Sequence, residues 1–114
     1  MPYMHVRTNV AVGKDKQVAI KAAFGEAISL LPGKSEQWLM VDVEEQATLF
    51  LAGEGDRPLA MVEVELLGKS TPRAYEALTA RVCEIMQREL AIAPDGVYVK
   101  YAEIEHWGYN GSNF

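Results

Sequence analysis

The chain has 114 residues and a net charge of -5, a size that suits a single domain over residues 1–114. Because no basic cluster stands out, we expect neither nucleic acid nor an anionic membrane as a main partner. One cysteine, Cys83, excludes an internal disulfide framework, and the distant His5 and His106 do not form a metal-ligand motif. No apolar run suits a signal peptide or a membrane span, which predicts a cytoplasmic protein.

The first part of the chain has the pattern of a strand, a helix and a second strand. Alternating side chains over 3–9 predict a half-buried strand that begins beside Pro2. Apolar residues recur at helical spacing over 14–31, and the Pro-Gly pair at 32–33 is expected to end that helix. The short apolar run 38–43 predicts a strand covered on both faces.

The second part of the chain repeats this pattern. A strand is predicted over 59–67, Thr71 is expected to cap a helix whose first turn holds Pro72, and a Pro-Asp-Gly turn precedes a strand over 97–102. The sequence therefore predicts an α+β fold made of a duplicated β-α-β unit. Its four-stranded mixed sheet carries two helices on one face, and identical subunits are expected to cover the other face.

Six short motifs are spread along the entire chain. Each is weak by itself, but their order and spacing together are specific. They are the opening Met-Pro, Thr8-Asn9-Val10, the Gly33-Lys34 turn, Leu67-Gly68-Lys69, Pro94-Asp95-Gly96-Val97-Tyr98 and Asn110-Gly111-Ser112-Asn113-Phe114. On these motifs the chain resembles the macrophage migration inhibitory factor and D-dopachrome tautomerase branch of the tautomerase superfamily. The resemblance implies a homotrimer whose short extra strands complete neighbouring sheets, with active sites at the subunit boundaries.

The resemblance also implies a role for individual residues. Pro2, an N-terminal secondary amine once Met1 is removed, would be the catalytic base and acid. Lys34 would hold the substrate carboxylate, and the backbone amide of Leu67 would contact the substrate. Tyr98 of a neighbouring subunit would close the far side of the pocket, and the mouth would be lined by Trp38, Ile104, Trp107, Tyr109 and Phe114.

Three positions depart from the family pattern. Lys100 stands where the best-known members have asparagine, so it is either a second cation near the substrate carboxylate or an exposed lysine on a strand. Residues 59–62, Leu-Ala-Met-Val, replace the Cys-x-x-Cys of some members and exclude thiol-disulfide activity by that route. Trp38 replaces a tyrosine, which keeps the aromatic surface and loses the hydroxyl.

The activity implied is that of a cofactor-free keto-enol tautomerase acting on phenylpyruvate-like or dopachrome-like aromatic substrates. Such chemistry needs a base that is unprotonated near neutral pH. Burial and repulsion by Lys34 and Lys100 would both lower the pKa of the Pro2 amine. If Met1 is retained, the Pro2 nitrogen is an amide without a basic lone pair, and we expect no tautomerase activity.

Two other functions fit the same resemblance. The first is a cytokine-like trimer that binds a protein receptor and has a vestigial or regulatory pocket, and it leaves export without a signal peptide open. The second is a trimer with a purely structural role. Because the enzymatic and cytokine roles coexist in family members, the resemblance does not separate them.

Overall fold

The strands and helices of the chain follow one another as two β-α-β units and a final hairpin. The computed structural model describes residues 1–114. The elements are β1 (Pro2–Thr8), α1 (Lys14–Ala27), β2 (Met40–Glu44), β3 (Ala60–Leu67), α2 (Pro72–Leu90), β4 (Val97–Ile104), β5 (Gly108–Tyr109) and β6 (Ser112–Asn113). This order confirms the duplicated β-α-β unit that the sequence predicts.

The four long strands form one mixed sheet in the order β2-β1-β3-β4. Within each unit the two strands are parallel, so that Tyr3 pairs with Met40 in the first and Met61 pairs with Tyr98 in the second. The two units meet through an antiparallel pairing of β1 with β3. Strand starts that belong to one unit therefore lie at the same end of the sheet, which is where each unit forms a cleft.

Both helices pack on one face of the sheet and bury its core. Met4 and Val6 of β1 are fully buried in the same cluster as Phe24 of α1 and Leu78 of α2. One buried polar side chain, Thr8, satisfies its hydroxyl by donating to the carbonyl of Leu59 at 2.7 Å. The alternation of buried and half-buried residues along β1 and β3 follows from the two-residue period of a strand.

The ends of several predicted elements differ from the structure, most clearly those of the first helix and the second strand. The first α-helix ends at Ala27 and continues as one 3₁₀ turn over Ile28–Leu30. Trp38 belongs to the 3₁₀ turn Glu36–Trp38 and lies outside β2. The prediction that this strand is covered on both faces is wrong for the single chain, because Met40 and every second residue after it are exposed. An apolar run alone did not distinguish buried from exposed strand positions.

The beginning of the second helix agrees with the sequence pattern. The hydroxyl oxygen of Thr71 accepts a hydrogen bond from the backbone amide of Ala74 at 3.1 Å, and Pro72 occupies the first helical position. A Thr cap and a first-turn proline both satisfy helix-start geometry without an unpaired amide. No helix of the structure combines the length and the apolar character that crossing a membrane requires.

The open face, which is the side of the sheet opposite the helices, carries a charged patch at its centre. The patch consists of His5, Arg7, Glu44, Glu63 and Lys100. The imidazole of His5 lies 3.0 Å from Glu44 and 3.3 Å from Glu63, while Lys100 lies 3.5 Å from Glu63. Arg7 pairs with Glu44 at 3.1 Å. Each charged group of this patch therefore has an oppositely charged or hydrogen-bonding neighbour in the same chain.

Candidate active site

A cleft of about 480 Å³ lies at the end of the sheet where β1 and β2 begin. It brings together residues from four separate stretches: the amino terminus, the segment before β2, the end of β3 and the carboxy-terminal hairpin. Four of the predicted site residues line it, namely Pro2, Trp38, Trp107 and Tyr109. Pro2 is the first residue of β1 and is buried.

Local structure explains why these stretches converge. The parallel register that pairs Tyr3 with Met40 sets the start of β2, and with it the preceding Trp38, beside the start of β1. The carboxy-terminal hairpin turns at Asn110 and Gly111, both of which have a positive φ. An Asn-Gly pair with this backbone suits a two-residue hairpin, so the aromatic residues on both arms are brought back to the cleft.

Three aromatic rings form a cluster at the mouth of the cleft. The rings of Trp38 and Tyr109 meet edge to face at 5.3 Å, and Trp38 meets Phe114 in the same way at 6.4 Å. Tyr109 and Phe114 stack at 6.1 Å. The three side chains nevertheless remain between 43% and 62% exposed. Such a cluster offers both ring faces and edges to a flat apolar molecule.

A polar end borders the cleft and is built around the backbone of Leu67; neither Leu67 nor Lys34 is among the residues that line the cleft itself. Its amide donates to the carbonyl oxygen of Met1 at 3.0 Å. Its own carbonyl accepts from the ammonium group of Lys34 at 2.9 Å. Because an ammonium group has three N–H donors, Lys34 has capacity beyond this one bond. Lys34 follows Gly33, whose φ of +82° allows the tight turn after the first helix.

The electrostatic environment of the amino terminus favours an uncharged amine. Burial lowers the pKa of the Met1 amine below its usual value, and the nearby positive charge of Lys34 lowers it further. Both effects act in the same direction because each disfavours the ammonium form. In the chain as described, the nitrogen of Pro2 is part of the peptide bond to Met1 and has no basic lone pair.

One carboxylate, Glu65, lines the cleft, and its surroundings are unusual. Glu65 lies opposite Tyr3 in the antiparallel pairing of β1 with β3. The Tyr3 hydroxyl, however, donates to Asp42 at 2.6 Å, and this hydrogen bond together with burial raises the pKa of Tyr3 to about 12. Glu65 has no ion pair within 4.0 Å and accepts no side-chain hydrogen bond.

Two predicted site residues lie away from the cleft within the single chain. Tyr98 is 57% exposed and lines a separate apolar cleft of about 110 Å³ with Phe50 and Met61. Lys100 is exposed on the open face and pairs with Glu63. Because the prediction for Tyr98 assigns it to the site of a neighbouring subunit, its distance from the cleft in one chain leaves that role open.

Ile104 and Phe114 border the cleft without lining it. Ile104 pairs with Leu67 across the parallel strands, and its carbonyl accepts the amide of Gly68 at 2.9 Å. Phe114 reaches the site through its contacts with the two rings at the mouth, and its amide donates to the carbonyl of Trp107 at 3.0 Å. These two residues therefore hold the polar end and the hairpin in place.

Sequence reasoning missed six residues that line the cleft. They are Tyr3, Gln37, Leu39, Met40, Glu65 and Gly108. Three of them, Tyr3, Met40 and Glu65, face one another only because of strand register, which a single sequence does not specify. The alternation of β3 was a usable signal for Glu65, since it places this residue on the same face as Leu67.

Outside the cleft, the remaining reactive groups lack a site-like arrangement. No three histidine, cysteine, aspartate or glutamate side chains come together in a way that could hold a metal ion. Cys83 is half-buried against the core, and burial raises the pKa of its thiol. A raised thiol pKa disfavours the reactive thiolate, so Cys83 has the character of a packing residue.

Comparisons with known proteins agree with this geometry. The family described as "Macrophage migration inhibitory factor (MIF)" matches residues 1–114. The MIF-like protein mif-3 of Caenorhabditis elegans is 29% identical over 97% of this chain and 75% of its own. The crystal structure of Leishmania major MIF2 superposes with a TM-score of 0.93 at 28% identity, covering 100% of this chain and 97% of that one.

A third solved structure shares the fold. It is Pt0534 inactivated by 2-oxo-3-pentynoate, which superposes with a TM-score of 0.84 at 18% identity, covering 96% of this chain and 93% of its own. At that identity the likeness concerns the fold alone. Because the family match extends over the whole chain and the fold agrees throughout, the chain belongs to the macrophage migration inhibitory factor family of the tautomerase superfamily.

Proposed function

We propose that the protein is a cofactor-free keto-enol tautomerase in which Pro2, after removal of Met1, is the catalytic acid and base. The observation that carries this proposal is the hydrogen bond from the Leu67 amide to the Met1 carbonyl at 3.0 Å. That carbonyl carbon is bonded directly to the Pro2 nitrogen. Removal of Met1 therefore creates the amine and frees a backbone donor beside it in one step.

The freed amide and Lys34 together suit an anionic group next to the amine. Lys34 already donates to the carbonyl of the same residue, Leu67, at 2.9 Å. A substrate carboxylate or enolate oxygen held by these donors would lie within reach of the Pro2 nitrogen. Preorganised donors of this kind stabilise the negative charge that develops as a proton leaves carbon.

The proton transfers then balance without any other reactant. The uncharged Pro2 amine takes a proton from the carbon next to the ketone, and the electron pair of that C–H bond moves to form the enolate. The resulting ammonium group returns the proton to the enolate oxygen, which gives the enol. The reverse sequence converts enol to ketone, so one group serves as base and acid in turn.

The local charges support a Pro2 amine that is free near neutral pH. Burial and the charge of Lys34 lower the pKa of the amine at Met1. Pro2 is the more buried of the two residues and follows directly in the chain. We therefore expect the same two effects to lower the pKa of the Pro2 amine, which meets the requirement for a general base.

The aromatic cluster supports a flat aromatic substrate of the phenylpyruvate or dopachrome type. Trp38, Tyr109 and Phe114 offer stacking and edge contacts at the mouth of the cleft. We further propose a homotrimer in which Tyr98 of a neighbouring copy reaches this cleft, while Lys100 stays paired with Glu63 on the open face. The exposure of Tyr98 and of the adjacent Phe50, at 57% and 71%, supports an interface there.

The test compares two forms of the protein that differ only in Met1. Mass spectrometry of the intact chain establishes which form is present, and phenylpyruvate tautomerisation is then followed by the loss of enol absorbance. We expect activity in the form that begins at Pro2 and none in the form that keeps Met1. Equal activity in both forms would exclude the Pro2 amine as the base.

A covalent probe gives a second readout for the same amine. 2-Oxo-3-pentynoate is an α-keto acid whose alkyne is conjugated to a carbonyl, so a free amine adds to it without a leaving group. The form that begins at Pro2 should gain the mass of one reagent molecule and lose activity in parallel. The form that keeps Met1 is the matched control, because its proline nitrogen is an amide.

A further inference from the structure

We propose that Glu65 makes the cleft selective for the charge at the far end of the substrate. This inference rests on the proposed tautomerase function and concerns which substrates the same site accepts. In particular, Glu65 favours a cationic group on the substrate ring and disfavours a second anionic group. Three observations on the position, the partners and the burial of this carboxylate carry the inference.

The first observation is the position of Glu65 relative to the anion-binding end. Glu65 and Leu67 lie on the same face of β3, two residues apart, which corresponds to about 6–7 Å along a strand. Lys34 donates to the Leu67 carbonyl. The donors around Leu67 and the Glu65 carboxylate therefore belong to positions two residues apart on one strand, a spacing on the scale of a phenylpyruvate-sized molecule.

The second observation is that Glu65 forms no ion pair within 4.0 Å in the chain, although it shares a hollow of the open face with Glu63 and Lys100. Tyr3, its cross-strand neighbour, gives its hydroxyl to Asp42 at 2.6 Å. By contrast Glu63, on the same face of the same strand, contacts both His5 and Lys100. Of these two carboxylates on one strand, Glu63 therefore has ion-pair partners and Glu65 has none.

The third observation is that Glu65 is half-buried and lines the same cleft as Trp38. Coulomb interactions in such surroundings are stronger than in bulk water. A substrate whose carboxylate is held near Lys34 directs its ring away from the amine and along the cleft past Glu65. Specificity then arises partly from repulsion of the wrong charge.

The experiment measures kcat/KM for three keto acids that differ at the para position of the ring: phenylpyruvate, its 4-aminomethyl derivative and its 4-carboxy derivative. The wild-type protein should prefer the cationic compound over phenylpyruvate and phenylpyruvate over the dianionic one. Each step should be about threefold to tenfold, the range set by a partly exposed charge pair. In Glu65→Gln, which keeps the shape of the side chain, both ratios should approach one.

Glu26→Gln is the matched control, because it removes the same charge from an exposed position on α1 that lies outside the cleft and forms no ion pair. It should keep the wild-type ratios, with circular dichroism confirming that both variants are folded. The inference is overturned if the wild type shows no charge preference, if Glu65→Gln keeps it, or if Glu26→Gln loses it equally.

A binding measurement separates this inference from the proposed function. Both tryptophans of the chain, Trp38 and Trp107, line the cleft, so their fluorescence reports occupancy by each of the three compounds. If phenylpyruvate is not tautomerised, the proposed function fails, and the order of the three Kd values then tests Glu65. An order that is the same in the wild type and in Glu65→Gln contradicts the inference.

Discussion

The two β-α-β units each form a cleft where their parallel strands begin, and the two clefts differ in chemistry. The first, beside Tyr3 and Met40, has a volume of about 480 Å³ and contains Glu65 and the chain terminus. The second, beside the corresponding pair Met61 and Tyr98, has about 110 Å³ and contains no ionisable group other than the tyrosine hydroxyl. The repeated frame alone therefore does not create a candidate active site.

The difference comes from parts of the chain that are not repeated. The first cleft gains Trp107 and Tyr109 from the carboxy-terminal hairpin, and Lys34 from the turn after α1 borders it through its hydrogen bond to Leu67. The second cleft is closed by Leu49 and Phe50, which lie outside any long strand. A carboxylate without an ion pair, Glu65, marks the first cleft, while apolar side chains mark the second as a packing surface.

The largest effect is expected from changing the residue that begins the first unit. Pro2→Gly replaces the secondary amine by a more flexible primary amine, and we expect kcat/KM for phenylpyruvate to fall by about a thousandfold. Ala60 is the corresponding residue of the second unit, because Pro2 and Ala60 each precede the paired positions at the two clefts. Ala60→Gly should leave the rate of the folded protein close to the wild-type value, and a comparable loss there would contradict the distinction between the clefts.

Lys34 gives the next largest effect and also a pH signature. Lys34→Met removes a donor from the polar end of the cleft, so kcat/KM should fall by about a hundredfold. It also removes a positive charge that lowers the pKa of the terminal amine. The inflection of the pH-rate profile should therefore move to higher pH than in the wild type. Lys14→Met, an equal charge change at the exposed start of α1, should change neither kcat/KM nor the inflection of the pH-rate profile. An unshifted inflection in Lys34→Met would argue against the electrostatic role of Lys34.

Stability should respond differently at the two helix starts. Thr71 caps α2 through the Ala74 amide, whereas Gly13 precedes α1 without a side-chain cap. Thr71→Ala should lower the free energy of unfolding by about 1 kcal/mol. Gly13→Ser, at a position where an added Cβ meets no atom within 4 Å, should raise it by a few tenths. Urea unfolding at neutral pH measures both, and a loss of stability in Gly13→Ser would show that the first helix start is already optimal.

The smallest effect concerns Tyr3, whose contribution to stability changes with pH only above pH 10. Its pKa is raised from 10.0 to about 12, chiefly by its hydrogen bond to Asp42. A raised folded-state pKa means that the contribution to stability is complete below pH 10 and is lost as the pH rises toward 12. The stability difference between the wild type and Tyr3→Phe should be constant below pH 10 and shrink above it. A difference that does not change across this window would contradict the assigned hydrogen bond.

The sequence predicted the frame better than the site. Alternation in β1 and β3 and the Thr71-Pro72 start were sufficient for the duplicated fold, because these patterns depend on local geometry. The cleft depends on register and on a distant hairpin, so Tyr3 could not be recognised from its neighbours in the chain, and the alternation of β3 indicated only the face on which Glu65 lies. Trp38 was assigned to a strand because an apolar run does not show where a 3₁₀ turn ends and a strand begins.

Tyr98 and Lys100 lie away from the cleft of their own chain, and the role predicted for them depends on how copies assemble. The chain supports that role only through exposure of Tyr98 beside other apolar side chains. The assignment of these residues to a neighbouring subunit came from the family resemblance. The pattern of apolar residues predicted only that one face of the sheet needs a partner.

The most direct test of the proposed active site is to locate the adduct formed with 2-oxo-3-pentynoate in the form that begins at Pro2. Peptide mapping by mass spectrometry should find one reagent molecule on the Pro2 nitrogen, in proportion to the loss of phenylpyruvate tautomerisation. Lys34, the neighbouring amine, should stay unmodified while activity falls. An adduct on Lys34 or elsewhere with Pro2 unmodified, or full activity after Pro2 is modified, would contradict the account.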